Sequence, residues 1–167
     1  MAAVPELDFT LLKSARIPKS AYNENDLCAL AIHVLKAERV AGPVILTLDL
    51  VGHERIHALN RRFRGVDRTT DVISFRSDLE APPPTGGRVA GGRERGSFVG
   101  DIAINVAQAD IQRKKVGNSL PREVRLLWIH GILHLLDYTD YDPVPRRKMF
   151  RRQNQLLLQW ERKAGKK

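Results

Sequence analysis

Cysteine is nearly missing from this chain of 167 residues: Cys28 stands alone. A lone thiol excludes an intramolecular disulfide framework and a zinc finger built on cysteines, and it suits a reducing compartment. Long apolar runs are missing too, and none approaches the roughly 20 residues that a membrane-spanning helix needs. The opening stretch, MAAVPELDFTLLKSARIPKS, has no continuous apolar core and contains acids, so no export signal and a cytoplasmic location are expected. Acids are scarce at the other end. From Val144 to Lys167 there are nine Lys or Arg and one acid, Glu161, which gives this segment nearly all of the net +9 charge. A basic segment on a near-neutral body points to a polyanionic partner, most simply nucleic acid, or else to a solvated helix face.

Hydrophobic residues make up 43% of the chain, and its length suits one domain, 1–167, with a substantial core. Helical spacing predicts a helix from Glu24 to Glu38, capped by Asn25 or Asp26. Pro43–Val51 reads as a strand. His53–Gly65 reads as a helix with Ile56, Leu59, Asn60 and Phe63 on one face, closed by Gly65. Asp71–Phe75 and Phe98–Val106 are strand candidates. The stretch between them, Ser77–Ser97, is dense in Pro and Gly and predicts a flexible surface insertion. A short helix at Ala107–Lys115 precedes a longer one opened by Asn118, Ser119 and Pro121. That longer helix is apolar almost all round from Val124 to Leu136 and should be buried. The last helix, near Arg146–Lys163, carries Met149, Leu156, Leu157 and Trp160 as a core stripe. These elements predict an α/β or α+β domain with a small sheet.

Inside the buried helix lies HGILHLLDYTD, residues 130–140, where His130 and His134 stand four apart. Residues at i and i+4 share a helix face, close enough to hold one metal ion or to form a hydrogen-bonded core pair. His53 and His57 share the spacing on a polar, arginine-rich helix and are expected to face solvent. Metallopeptidases that use such a pair place a glutamate beside the first histidine as general base. Here Gly131 occupies that position, so peptidase chemistry is rejected.

The segment resembles the YbeY family of rRNA-processing endoribonucleases, whose hallmark is H-G-x-L-H-L-x-G-Y-D-H. It matches at His130, Gly131, Leu133, His134, Leu135 and Tyr138. LNRRFRGVDRTTDVISF (Leu59–Phe75) and GDIAI (Gly100–Ile104) resemble the family's two upstream motifs, in the same order. The family's glycine, aspartate and third histidine correspond here to Asp137, Thr139 and Asp140.

The resemblance implies a single α+β domain with a small mixed sheet and a zincin-like metal-site helix. It implies one divalent ion, most simply zinc, single-stranded RNA as substrate, and a role in small-subunit rRNA maturation beside the ribosome and assembly factors, away from membranes. The family's functional arginine falls on Arg64, which can neutralise charge developing on a phosphodiester cleaved by metal-activated water. For the third ligand, Asp137, Asp140 and Asp142 compete in sequence. The family register selects Asp140, with Asp137 ending the helix in a left-handed turn. Two other readings follow from the same residues: an RNA-binding assembly factor that has lost effective catalysis, and an iron oxygenase with two histidines and a carboxylate. The oxygenase is discounted because such sites usually sit on β-barrels, which nothing in the sequence suggests.

Overall fold

The computed structural model describes residues 5–78 and 97–165. Four strands form one mixed sheet: β1 (Glu6–Lys13), β2 (Pro43–Val51), β3 (Val72–Asp78) and β4 (Phe98–Asn105), in the spatial order β1-β2-β4-β3. β1, β2 and β4 run parallel, while β3 lies antiparallel to β4 at one edge. Around the sheet pack α1 (Glu24–Ala37), α2 (His53–Arg64), α3 (Val106–Val116), α4 (Leu120–Leu135) and α5 (Pro143–Ala164). The chain is a single α+β domain, as expected.

Alternation along the strands divides the core in two. Leu46, Leu48 and Leu50 of β2 and Phe98, Ile102 and Ile104 of β4 point to one face, where they meet α1, α4 and α5. The opposite face carries a smaller cluster in which Val51, Ile73 and Ala103 lie under Ile56 of α2. α4 is the hub of the larger core, touching α1, α3, α5, β3 and β4. Its Trp128 is fully buried, and the indole Nε1–H donates to the Leu27 carbonyl at 3.0 Å. Large side chains buried this way each contribute about 1.5–3 kcal/mol, which fixes the helix that carries the paired histidines.

Several expectations are corrected. Asn23, not Asn25 or Asp26, caps α1: its side chain accepts from the Asp26 N–H at 3.0 Å. Phe63 leaves the buried face predicted for α2 and is 56% exposed, resting on Phe75 at 5.0 Å between ring centroids. β3 extends past Phe75 to Asp78, so Ser77 belongs to the strand. The rest of the Pro/Gly insertion, 79–96, lies outside the described residues. β1 was not anticipated. Its alternating Leu7, Phe9 and Leu11 pack on the core, while the residues between them face outward.

Candidate metal centre

The helix end is what brings the site together. α4 stops at Leu136, and Asp137 takes a left-handed conformation with φ 68°. The Tyr138 N–H then bonds the Leu133 carbonyl at 3.0 Å, and the Asp137 N–H bonds the His134 carbonyl at 3.1 Å. This closure satisfies the last helical carbonyls and reverses the chain. Arg76 on β3 caps a further one, donating from Nη1 to the Leu135 carbonyl at 2.7 Å. Beyond the turn, Arg146 Nε donates to the Asp140 backbone carbonyl at 2.8 Å and anchors the returning loop against α5.

His130, His134 and Asp140 come together there, with one ligand atom from each lying within 4.8 Å of the others. The two Nε2 atoms are 3.0 Å apart, and Asp140 offers Oδ2 to His130 and Oδ1 to His134, each at 3.7 Å. Tetrahedral ligands with bonds of about 2.0–2.2 Å sit about 3.3–3.6 Å apart, so these separations bracket the spacing for such an ion. Asp137 points away, its side chain 79% exposed and 4.0 Å from Arg76. Asp142 stands exposed at the start of α5.

The outer contacts fix the donor atoms. His130 Nδ1–H donates to Gln153 Oε1 at 2.8 Å, and His134 Nδ1–H donates to the Tyr138 carbonyl at 3.0 Å. With both Nδ1 atoms committed as donors, each neutral ring turns an Nε2 lone pair inward. Two lone pairs and a carboxylate therefore converge on one point. Left alone they repel, and a divalent cation satisfies all three. The side chains present fit a metal ion.

Gly131 has a structural reason as well. A Cβ there would lie 2.9 Å from both Cδ1 and Cγ2 of Ile102 on β4, so the position faces the packed sheet rather than the metal site. A glutamate at 131 would have to enter the core, and the peptidase arrangement is closed to this fold.

Arg64 occupies the last turn of α2 and is exposed; Gly65, at φ 66°, stops the helix immediately after it. Its charge is felt at His134. Burial, the neighbouring His130 and then Arg64 hold the His134 pKa below its ordinary 6.5, against the opposing pull of Asp140 and the Tyr138 carbonyl. A histidine whose folded pKa is depressed binds an extra proton on unfolding, so stability rises with pH through the window below 6.5. The metal-free protein is expected to melt at lower temperature at pH 5.5 than at pH 7, with metal affinity falling in the same direction. A melting temperature that stays flat over that interval would contradict the burial of a neutral His134.

The second histidine pair has structural partners instead. His57 Nε2 meets Asp67 at 2.7 Å, and Asn105 Nδ2 donates to His53 Nδ1 at 2.9 Å. Asp71 braces the start of β3: Oδ1 accepts from the Val72 N–H at 2.8 Å and Oδ2 from Gln112 Nε2 at 3.0 Å. The basic segment is not uniform either. Arg152 faces inward, its Nε 2.5 Å from Glu38 Oε1. Arg146 is tied to the site loop. Arg147 and Arg151 stay exposed and form no ion pair among the described residues.

The family model for endoribonuclease YbeY matches residues 13–161. A protein of that description from Brevibacillus brevis is 41% identical over 128 residues, covering 73% of this chain and 77% of its own. Those from Pelotomaculum thermopropionicum and Thermobifida fusca are each 39% identical, covering 79% and 84% of this chain and 82% and 87% of their own. A solution structure of a Thermotoga maritima protein has the same fold, with a TM-score of 0.58 over 95% of this chain and 92% of that one at 23% identity.

Proposed function

Because the chain belongs to the YbeY endoribonuclease family, we propose that it is a metal-dependent, single-strand-specific endoribonuclease of small-subunit rRNA maturation. It would act in the cytoplasm on the ribosome and its assembly factors, as one domain spanning 1–167. The observation that carries the reading is the convergence of two Nε2 lone pairs and the Asp140 carboxylate. A divalent ion of the zinc type, when bound, supplies Lewis acidity toward water and toward a phosphoryl oxygen. His130 and His134 hold their donor atoms in place through Gln153 and the Tyr138 carbonyl. Arg64 offers a guanidinium to the non-bridging oxygens, where negative charge grows as the phosphodiester is attacked. Arg147 and Arg151 give the flanking phosphates a cationic surface on α5.

Elemental analysis of protein purified without added metal, followed by incubation of the loaded protein with single-stranded RNA, tests this reading. One ion per chain and internal cleavage are expected. Metal and RNA binding without any cleavage would favour the assembly-factor reading, which the exchange of a third histidine for Asp140 keeps open. Absence of a bound metal would overturn the nuclease.

RNA affinity should also fall with salt, by about 0.7 in log K per decade of salt for each phosphate contact. Reversing Arg147 and Arg151 is expected to flatten that slope by between one and two contacts. Replacing Arg152 should instead lower the melting temperature, because Glu38 loses an ion-pair partner. An unchanged slope in the double variant would reduce α5 to a solvated face.

A further inference from the structure

The metal site opens into a cleft of about 260 Å³ between α3, α4 and α5. His130 forms part of its wall, so the cleft is continuous with the metal ligands. Its apolar lining is Leu126, Leu127 and Phe150, and its polar lining includes the carboxylates of Asp71 and Glu123. Phe150 is 40% exposed, and its ring lies 5.9 Å from that of His130, tilted by 33°. Glu123 is only 5% exposed. Its Oε2 accepts from Asn118 Nδ2 at 2.9 Å, and no hydrogen bond among the described residues uses Oε1.

These features select an occupant. Among the described residues no Lys or Arg lines the cleft, so a phosphate placed away from the metal-ligand end would meet the Asp71 and Glu123 carboxylates without a counter-charge. A flat, neutral group that donates hydrogen bonds from its edge satisfies both walls. Phosphates have a separate place: Arg147 and Arg151 lie one turn before and one residue after Phe150 on the exposed side of α5. Aromatic stacking with basic residues alongside is how single-stranded nucleic acid is held without a duplex.

We propose that this cleft is a subsite for one unpaired nucleobase next to the scissile phosphate, stacked on Phe150 and read by Glu123 and Asp71 through an exocyclic amine. Cytosine and adenine present that amine donor, whereas uracil presents a carbonyl oxygen in its place and would face the carboxylates acceptor to acceptor. The subsite therefore prefers cytosine or adenine to uracil. The inference rests on the nuclease reading and adds a base preference that the metal ligands do not provide.

The test uses the metal-loaded full chain and single-stranded oligouridylates carrying one cytidine, one adenosine or one abasic residue at successive positions. The parent should cut next to the amine-bearing base in preference to uridine, and an abasic residue there should remove the preference. Phe150→Ala should lower kcat/KM by about 5- to 150-fold, mainly through KM, with metal content unchanged, while Phe150→Trp retains the parental value. Glu123→Gln should bring cytidine and uridine substrates to equal rates. Should that variant fail to fold, the abasic substrates and Phe150→Ala decide the question without it. Cleavage by the parent that ignores base identity, together with an unaltered KM in Phe150→Ala, overturns the subsite and leaves the nuclease standing. A loaded parent that neither binds nor cuts RNA overturns both.

Discussion

Asp140→Ala should purify without its metal, and Asp137→Ala should keep it. Removing a partner that merely orients a ligand weakens metal binding by about 10–100-fold, so removing a ligand itself should exceed that. Asp140 is the carboxylate that faces both Nε2 atoms, 3.7 Å from each. Asp137 is largely in solvent and serves the helix end through its left-handed backbone. Alanine at 137 therefore costs about 1–2 kcal/mol of stability from its φ and no ligand, and Asp137→Gly should recover that cost. Asp140→His is expected to bind metal and to cleave RNA at least as well as the parent, since a neutral imidazole leaves greater Lewis acidity than a carboxylate does. It should also make metal uptake more dependent on pH, because the imidazole must lose a proton that the carboxylate has already lost at neutrality. Equilibrium dialysis with zinc measures each variant. Parental affinity in Asp140→Ala would remove Asp140 from the ligand set.

The sequence made some of this visible and could not have shown the rest. β2 and α4 are strongly patterned: a β-branched, leucine-rich run for one and an apolar barrel around two histidines for the other. Both appear where the pattern places them. Asp140 was separable from Asp137 and Asp142 only through the family register, because nothing in the spacing of three aspartates reveals where a chain turns back. The Tyr138 carbonyl that orients His134 is a backbone atom and leaves no mark in composition. Gln153, which orients His130, lies among arginines on a helix whose charge drew the reading toward RNA. Arg151 and Arg152 are neighbours in sequence but about 100° apart around the helix axis. That rotation sends one into solvent and the other to Glu38, 114 residues away. β1 has ordinary alternation, but its polar positions break up any continuous apolar run, so little in composition sets it apart from a loop.

Arg64→Ala should reduce RNA cleavage by about 10²–10³-fold, the loss typical of removing one preorganised donor to a developing oxyanion. RNA binding should fall by no more than one phosphate contact's worth. The expectation follows from where the charge sits. Arg64 is held at the end of α2 by the Gly65 turn, where the Gly65 N–H bonds the Asn60 carbonyl, and Asn60 Nδ2 in turn donates to the Arg68 carbonyl at 2.8 Å. The helix end and the loop after it are thus tied together, which fixes the backbone from which Arg64 projects. The side chain is exposed and yet close enough to lower the His134 pKa. A substrate phosphate entering beside the metal ligands would meet that charge. Arg64→Lys should recover only part of the rate, since a point charge cannot match the guanidinium's two-pronged donation to phosphoryl oxygens. A second readout is independent of turnover: in the metal-free protein, the His134 pKa should rise in Arg64→Ala as a repelling charge is removed. Following the imidazole resonances by NMR across pH 5–7 measures that shift. A rate loss that merely equals the binding loss, with no change at His134, would leave Arg64 as a positioning residue at the rim of the site rather than a group acting on the reacting phosphate.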